Sequence, residues 1–154
     1  MLAKRGRTPL PVSFVIADID HFKKVNDNYG HQVGDEVIAS FGQLMGGSAR
    51  ESDCACPMGG EEFGALLWNC DRADAALFAE GLRTACQSHS IDALPGNTRF
   101  TASFGVAEAN ASDNFDDLYG CADAALYEAK NAGRNCVVSE RDFENVVPPP
   151  KAVC

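Results

Sequence analysis

Two glycines and two glutamates, Gly59-Gly60-Glu61-Glu62, stand between the apolar runs 54–58 and 63–68. Adjacent glycines signal a tight hairpin, because both central positions of such a turn take positive φ easily only without a Cβ. Taken alone, the stretch is most often a solvated acidic turn. The same residues have a chemical use: bare amides at a turn approach a phosphate while a neighbouring carboxylate holds a divalent cation. A second pair of acids, in Asp18-Ile19-Asp20, follows the apolar run 12–17, so a buried strand delivers a carboxylate to the edge of a sheet. The two are expected to face apart, with Asp18 turned to the site and Asp20 free to cap the next helix.

If that strand end and the hairpin lie side by side, Asp18, the Ile19 carbonyl and Glu61 make a hard oxygen site suited to Mg²⁺. The amides of Gly59 and Gly60 can then surround phosphates. Lys130 and Arg134 are spaced as one helical turn on one face and can clamp the outer phosphates, although such a pair at a helix end more often complements the macrodipole. Asn26 and Asp35 offer an amide and a carboxylate, which suits the Watson–Crick edge of guanine; Asp35 can equally be an N-cap. Two acids with a divalent cation and a phosphate clamp indicate nucleotidyl or phosphoryl transfer. Upstream, Arg50-Glu51-Ser52-Asp53 pairs an Arg able to fork onto guanine or phosphate with an Asp able to accept from guanine, or else forms a turn with a local ion pair.

These residues need a scaffold that gathers them. Residues 12–17 read as a buried strand and 21–28 as a short helix failing at the turn chemistry before Gly30. The segment 31–35 leads into a helix with Val37, Ile38, Phe41, Leu44 and Met45 on one stripe, weakened at Gly46-Gly47. Strands are expected at 54–58 and 63–68, a helix at 71–88 with Ala75, Leu77, Phe78, Leu82 and Ala85 inward, and a strand at 99–107. A helix at 114–131 is expected to turn Phe115, Leu118, Cys121, Ala122, Ala125, Leu126 and Ala129 inward and to stop at Gly133. Residues 136–138 read as a last short strand. The order β-α-α-β-β-α-β-α-β predicts an α+β fold, a central, mainly antiparallel sheet flanked by helices, with the hairpin at the active site.

The 154 residues suit one domain, spanning 12–139, after an irregular leader at 1–11 and before a mobile Pro-rich tail at 140–154. A net charge of −9 argues against binding to nucleic-acid backbones. No stretch approaches the roughly 18 apolar residues of a membrane span. The seven cysteines are odd in number and lack zinc spacing; they read mostly as small core residues of a reducing compartment, which leads to the expectation of a cytoplasmic protein. His21 and His31 have no third nitrogen or sulfur at useful spacing and are weak metal candidates.

Asp18-Ile19-Asp20-His21-Phe22-Lys23-Lys24-Val25-Asn26-Asp27, Tyr29-Gly30-His31, Gly34-Asp35, Gly59-Gly60-Glu61-Glu62-Phe63, and the stretch from Ala122-Asp123 through Lys130 to Arg134-Asn135 together resemble a GGDEF domain, the catalytic module of bacterial diguanylate cyclases. The resemblance covers roughly residues 12–139. It implies a ferredoxin-like palm shared with nucleotide cyclases and polymerases. The implied reaction condenses two GTP to cyclic di-GMP with release of two pyrophosphates. It also implies a metal site of Asp18, Ile19 (through its carbonyl) and Glu61, filled by Mg²⁺ or Mn²⁺. Glu62 would help deprotonate the attacking 3′-hydroxyl or bind a second metal. Asn26 and Asp35 would bind guanine, with Phe22, Lys23, Lys130 and Arg134 along the triphosphate and Gly59-Gly60 at the turn. Each domain would hold one GTP, so catalysis would require a homodimer. Arg50 and Asp53 fall where the family binds cyclic di-GMP as an inhibitor.

Three departures temper these implications. The helix and Asp-x-Leu-Thr-Gly-Leu-x-Asn-Arg stretch that usually precede the first strand are not found, so a fragment or shortened protein is expected, with an upstream sensor or receiver domain as its partner. Cys56-Pro57-Met58 replaces an Arg-aromatic approach to the turn, and Pro57 removes a ladder donor. Gly81 stands where some members carry a further Arg for product binding. The rival expectation is therefore a non-catalytic module that binds GTP or cyclic di-GMP as a sensor.

Overall fold

The computed structural model describes residues 8–96 and 98–140. Most of the expected leader and nearly all of the expected tail lie outside those residues. Nine elements follow in chain order: β1 (Val12–Ile19), α1 (Phe22–Tyr29), α2 (His31–Ser48), β2 (Cys54–Gly59), β3 (Glu62–Trp68), α3 (Arg72–Ser88), β4 (Ala102–Glu108), α4 (Phe115–Asn131) and β5 (Val137–Ser139). The five strands form one sheet in the order β2-β3-β1-β4-β5. Only the β4–β5 pair is parallel. The expected α+β architecture, mainly antiparallel and flanked by helices, is the one observed.

β1 lies in the middle of the sheet because it is apolar on both faces. Val15, Ala17 and Ile19 enter a core with α2 and α3, including Val37, Phe41, Met45, Ala79 and Leu82. Phe14 and Ile16 enter a smaller core under α4 with Leu118, Ala122 and Leu126. Phe41 is the hub of the larger core, its ring 4.7 Å from Phe63 and 6.2 Å from Phe104 between centroids. On the other face α4 sits directly on the sheet. A Cβ on Gly105 would strike the Ala122 carbonyl and the Leu126 backbone nitrogen, so the lack of a side chain there sets the close approach.

Helix ends follow local chemistry. Asp71 caps α3 by accepting from the Asp74 N–H, and Asn114 and Asp117 form a capping box on α4. α4 ends at Gly133 (φ 111°), with Gly133 N–H donating to the Lys130 carbonyl and Arg134 N–H to that of Ala129. This is a Schellman arrangement, and it realises the expected stop.

Several expectations need correction. α2 begins at His31 with Gly30 as its N-cap, so Asp35 lies inside the helix and is not a cap. The helix also runs through Gly46-Gly47 to Ser48. Of the described cysteines only Cys70 and Cys86 are buried; Cys54 and Cys56 face solvent because they lie on the edge strand β2. Leu77 and Cys121 face solvent too, and Phe115 is half exposed with its ring edge-on to Phe14, because an alanine-rich core needs only the narrower stripes through Ala75–Leu82 and Leu118–Ala129. Asp20 does not cap α1; His21 does so in the left-handed region (φ 53°) without a side-chain bond. Nor do Asp18 and Asp20 face apart. Ser103 lies opposite Asp18 on β4 and its hydroxyl bonds to Asp20, which puts both acids on the α4 side. Arg134 is not one helical turn beyond Lys130 on a shared face, because α4 ends at Asn131 and Arg134 takes a left-handed loop conformation (φ 65°).

Candidate active site

The central strand and the hairpin meet where the acids are. β1 pairs with β3 so that Asp18 lies opposite Glu62. Opposed residues share a face, and here it is the face covered by α4. Gly59 pairs with Glu62, so the two-residue loop is Gly60-Glu61 and not Gly59-Gly60 as the adjacent glycines suggested. Positive φ falls on Gly60 (55°) at the first loop position and not on Glu61, the pattern of a type II′ hairpin. Gly59 (φ 141°) absorbs a bulge after Pro57. Because β2 is an edge strand, Pro57 is tolerated, and the hairpin closes with it in place. The loop is tied to the strand end by the Ile19 N–H, which donates to the Glu61 carbonyl at 3.2 Å.

The carboxylates differ in their partners. Asp18 Oδ2 accepts from Lys130 Nζ at 2.7 Å. Burial holds the Asp18 carboxyl above its usual range, and the negative Glu61 and Asp20 add to this, while the Lys130 bond and charge pull the other way. Glu62 Oε1 accepts from the Tyr119 hydroxyl of α4 at 3.1 Å. Asp20 is an anchor: buried, it accepts from Ser103 Oγ at 2.6 Å, Thr101 Oγ1 at 2.7 Å and the Asn135 N–H at 3.0 Å. It thereby binds the end of β1 to β4 and to the loop after α4, next to Lys130. Sequence reasoning missed this role and that of Tyr119. The signal was present in Thr101 and Ser103, polar residues two apart where an apolar run begins.

A hard divalent cation suits the donor set of Asp18 and Glu61. Two repelling acids converge where the hairpin is stitched to β1, and a cation would relieve that repulsion. Among the described residues no group of three or more His, Cys, Asp or Glu side chains is arranged to hold a metal ion, so the Asp18–Glu61 pair would need further donors from the main chain, the substrate or water.

Between them, α1 and α2 form a small cradle. Gly34 is buried against Asn26: an added Cβ would collide with Asn26 Oδ1 and lie 3.2 Å from Phe22 Cζ. Asn26 Oδ1 is buried with no hydrogen-bond partner, which is costly unless a donor arrives. Asp35 follows Gly34 directly and is exposed, as are Lys23 and Arg134. Asn26 thus packs against the residue before Asp35 across the α1–α2 junction, while Arg134 lies in the loop after α4.

The Arg50–Asp53 segment lies elsewhere, at the outer end of β2 and β3. Asp53 accepts from the Arg50 N–H at 2.9 Å and from its guanidinium at 3.3 and 3.4 Å, and from the Trp68 N–H at 3.2 Å. Its side chain is only 2% exposed, whereas that of Arg50 is 56% exposed. Asp53 therefore orients Arg50 and has little surface left for a ligand. Arg50 and Asp53 line one wall of a cavity of about 270 Å³ that reaches Asn69 and Asp74.

Known proteins share both sequence and backbone with this chain. The family model described as "Diguanylate cyclase, GGDEF domain" matches residues 1–136. The probable diguanylate cyclase DgcT of Escherichia coli (strain K12) is 43% identical over 139 residues, 88% of this chain and 30% of that protein. This chain thus spans about a third of that relative's length. The GGDEF domain of DgcB from Caulobacter crescentus, solved in complex with c-di-GMP, superposes with a TM-score of 0.80 at 33% identity, covering 85% of this chain and 78% of that one. The active GGEEF domain of a diguanylate cyclase from Vibrio cholerae gives the same TM-score and identity, over 85% and 83% of the two chains. The sheet is thus a cyclase palm, and the chain belongs to the GGDEF domain family.

Proposed function

We propose that this chain is a diguanylate cyclase domain, which condenses two GTP to cyclic di-GMP and two pyrophosphates when two copies meet face to face. The observation that carries the reading is the meeting of β1 and the hairpin: Asp18 opposite Glu62, with Lys130 on Asp18 and the Glu61 carbonyl bonded to the Ile19 N–H. The unpartnered Asn26 Oδ1 supports guanine recognition, since guanine brings N1–H and amino donors to such an acceptor.

Asp18, the Ile19 carbonyl and Glu61 would hold Mg²⁺, or Mn²⁺ in its place. When bound, the ion supplies positive charge to the triphosphate. Asn26 and Asp35 bind the base, and Phe22, Lys23, Gly59, Gly60, Lys130 and Arg134 surround the phosphates. Glu62, oriented by Tyr119, takes the proton of the 3′-hydroxyl as that oxygen bonds to the α-phosphorus of the facing GTP and the bond to pyrophosphate breaks. Each domain carries one GTP, so neither completes the reaction alone. Arg50, held out by Asp53, would meet cyclic di-GMP as an inhibitor. The expected setting is the cytoplasm, under an upstream sensor or receiver domain; no helix among the described residues is long and apolar enough to cross a membrane.

The rival reading, a nucleotide sensor without turnover, draws on the cavity at Arg50, which is separate from the carboxylates. Incubation of concentrated protein with GTP and Mg²⁺ decides between them: formation of cyclic di-GMP and pyrophosphate, abolished in Glu62→Gln, is the expected result. Nucleotide binding by calorimetry without product would establish the sensor instead.

A further inference from the structure

Away from the carboxylates, the edge strand β2 carries three sulfur-bearing residues at alternate positions: Cys54, Cys56 and Met58. Alternate residues on a strand share a face. Cys54 stands opposite Leu66 and Cys56 opposite Gly64, and Leu66 packs on the α4 side of the sheet. Met58 turns to that side in spite of the bulge. A Cβ built on Gly64 would lie 3.0 Å from Met58 Sδ and 2.8 Å from the Phe14 ring. Opposed Cβ positions are about 5 Å apart, so the thioether sits no more than about 8 Å from the Cys56 Cβ. Cys54 and Cys56 are both free and exposed.

Strand geometry selects what the two thiols can do. Residues two apart are separated by about 6.8 Å, whereas a disulfide needs Cβ atoms about 3.8 Å apart. An ion held by two metal–sulfur bonds of about 2.3 Å each spans the wider gap. Zinc would want four ligands, and among the described residues no third His, Cys, Asp or Glu joins the pair. Two thiolates and a thioether are instead a soft set of low coordination number, the kind that takes Cu(I).

We propose that Cys54, Cys56 and Met58 form a Cu(I)-binding site on the outer strand of the hairpin. Binding displaces the two thiol protons and fixes β2 immediately before the Gly60-Glu61 loop. The ion thereby restrains the hairpin that carries Glu61 and Glu62, a consequence that rests on the cyclase reading, although binding itself does not.

The test is a competition titration of the reduced whole chain with Cu(I) against the chromophoric chelator bicinchoninate, without oxygen. Wild type and a Cys121→Ser/Cys154→Ser control are expected to take up one equivalent with equal affinity. Cys54→Ser/Cys56→Ser is expected to lose about a hundredfold in affinity, and Met58→Leu about tenfold. Wild-type affinity in a folded Cys54→Ser/Cys56→Ser protein overturns the site, and wild-type affinity in Met58→Leu overturns the three-sulfur set. Cys56→Ser alone carries the same test if the double variant fails to fold. GTP turnover is then compared with and without Cu(I). Loss in wild type but not in the double variant supports the restraint on the hairpin, and equal turnover overturns it. Tight Cu(I) binding by a protein that never turns over GTP leaves the site standing and removes the cyclase reading.

Discussion

Glu62 and Asp53, at opposite ends of the β2–β3 hairpin, show how hydrogen bonds give two acids separate jobs. The Tyr119 hydroxyl fixes one oxygen of Glu62, while the Tyr119 ring is braced by Phe14 and Phe115 at 6.1 and 6.2 Å. Tyr119→Phe keeps that packing and frees the carboxylate to rotate. It should lower kcat for cyclic di-GMP formation by up to about tenfold with KM for GTP little changed, as steady-state kinetics can measure. Burial alone would raise the Asp53 carboxyl, but the Arg50 N–H, the guanidinium and the Trp68 N–H outweigh it and hold Asp53 below its ordinary range. A depressed carboxyl contributes stability above its unfolded pKa and loses it as pH falls through the folded one. Asp53→Asn should therefore cost about 1.5–3 kcal/mol in urea unfolding at pH 7, with the difference from wild type shrinking in acid below the ordinary carboxylate range. Cys86 marks the opposite extreme: burial pushes its thiol up to about 12, so it should stay unlabelled by thiol reagents at pH 8 until the chain unfolds.

The elements hold the site through close backbone approach and through Asp20. α4 carries Lys130 and Tyr119, and its distance from the sheet is set at Gly105. Gly105→Ala pushes α4 off β4, which should destabilise the fold by about 1–3 kcal/mol in denaturant unfolding and depress turnover more than a surface substitution of equal cost. Asp20 joins β1, β4 and the loop after α4 by three accepted hydrogen bonds. These relations explain where sequence reading stopped. The helix and strand order followed from periodicity, and the stop of α4 at Gly133 from local chemistry. Asp20 looked like a cap because its real partners, 81 to 115 residues away, cannot be seen along the chain. Arg134 was misplaced for a related reason: spacing alone does not say that the helix has already ended.

For the molecule as a whole, the proposed reaction needs two copies. At protein concentrations below the dimer dissociation constant, the rate of cyclic di-GMP formation should rise with about the square of protein concentration and become linear once dimers dominate. Added cyclic di-GMP should lower that rate in wild type and not in Arg50→Ala, if Arg50 presents the inhibitory surface. Removal of divalent ions with a chelator is expected to stop turnover without unfolding the domain, which circular dichroism can verify.

By itself the sequence determined the element order, the buried central strand, the acidic hairpin, the helix stop at Gly133 and the family resemblance. Each of these is written in local pattern: apolar period, turn residues, caps and motif spacing. Only the tertiary structure decided that the loop is Gly60-Glu61, that Pro57 is accommodated on an edge strand, that Asp53 spends its carboxylate on orienting Arg50, and that Asn26 Oδ1 is left buried without a donor against Gly34. Register, burial and partnering arise between segments far apart in the chain. The hairpin itself was therefore legible in its residues, while its geometry came from the strands it meets.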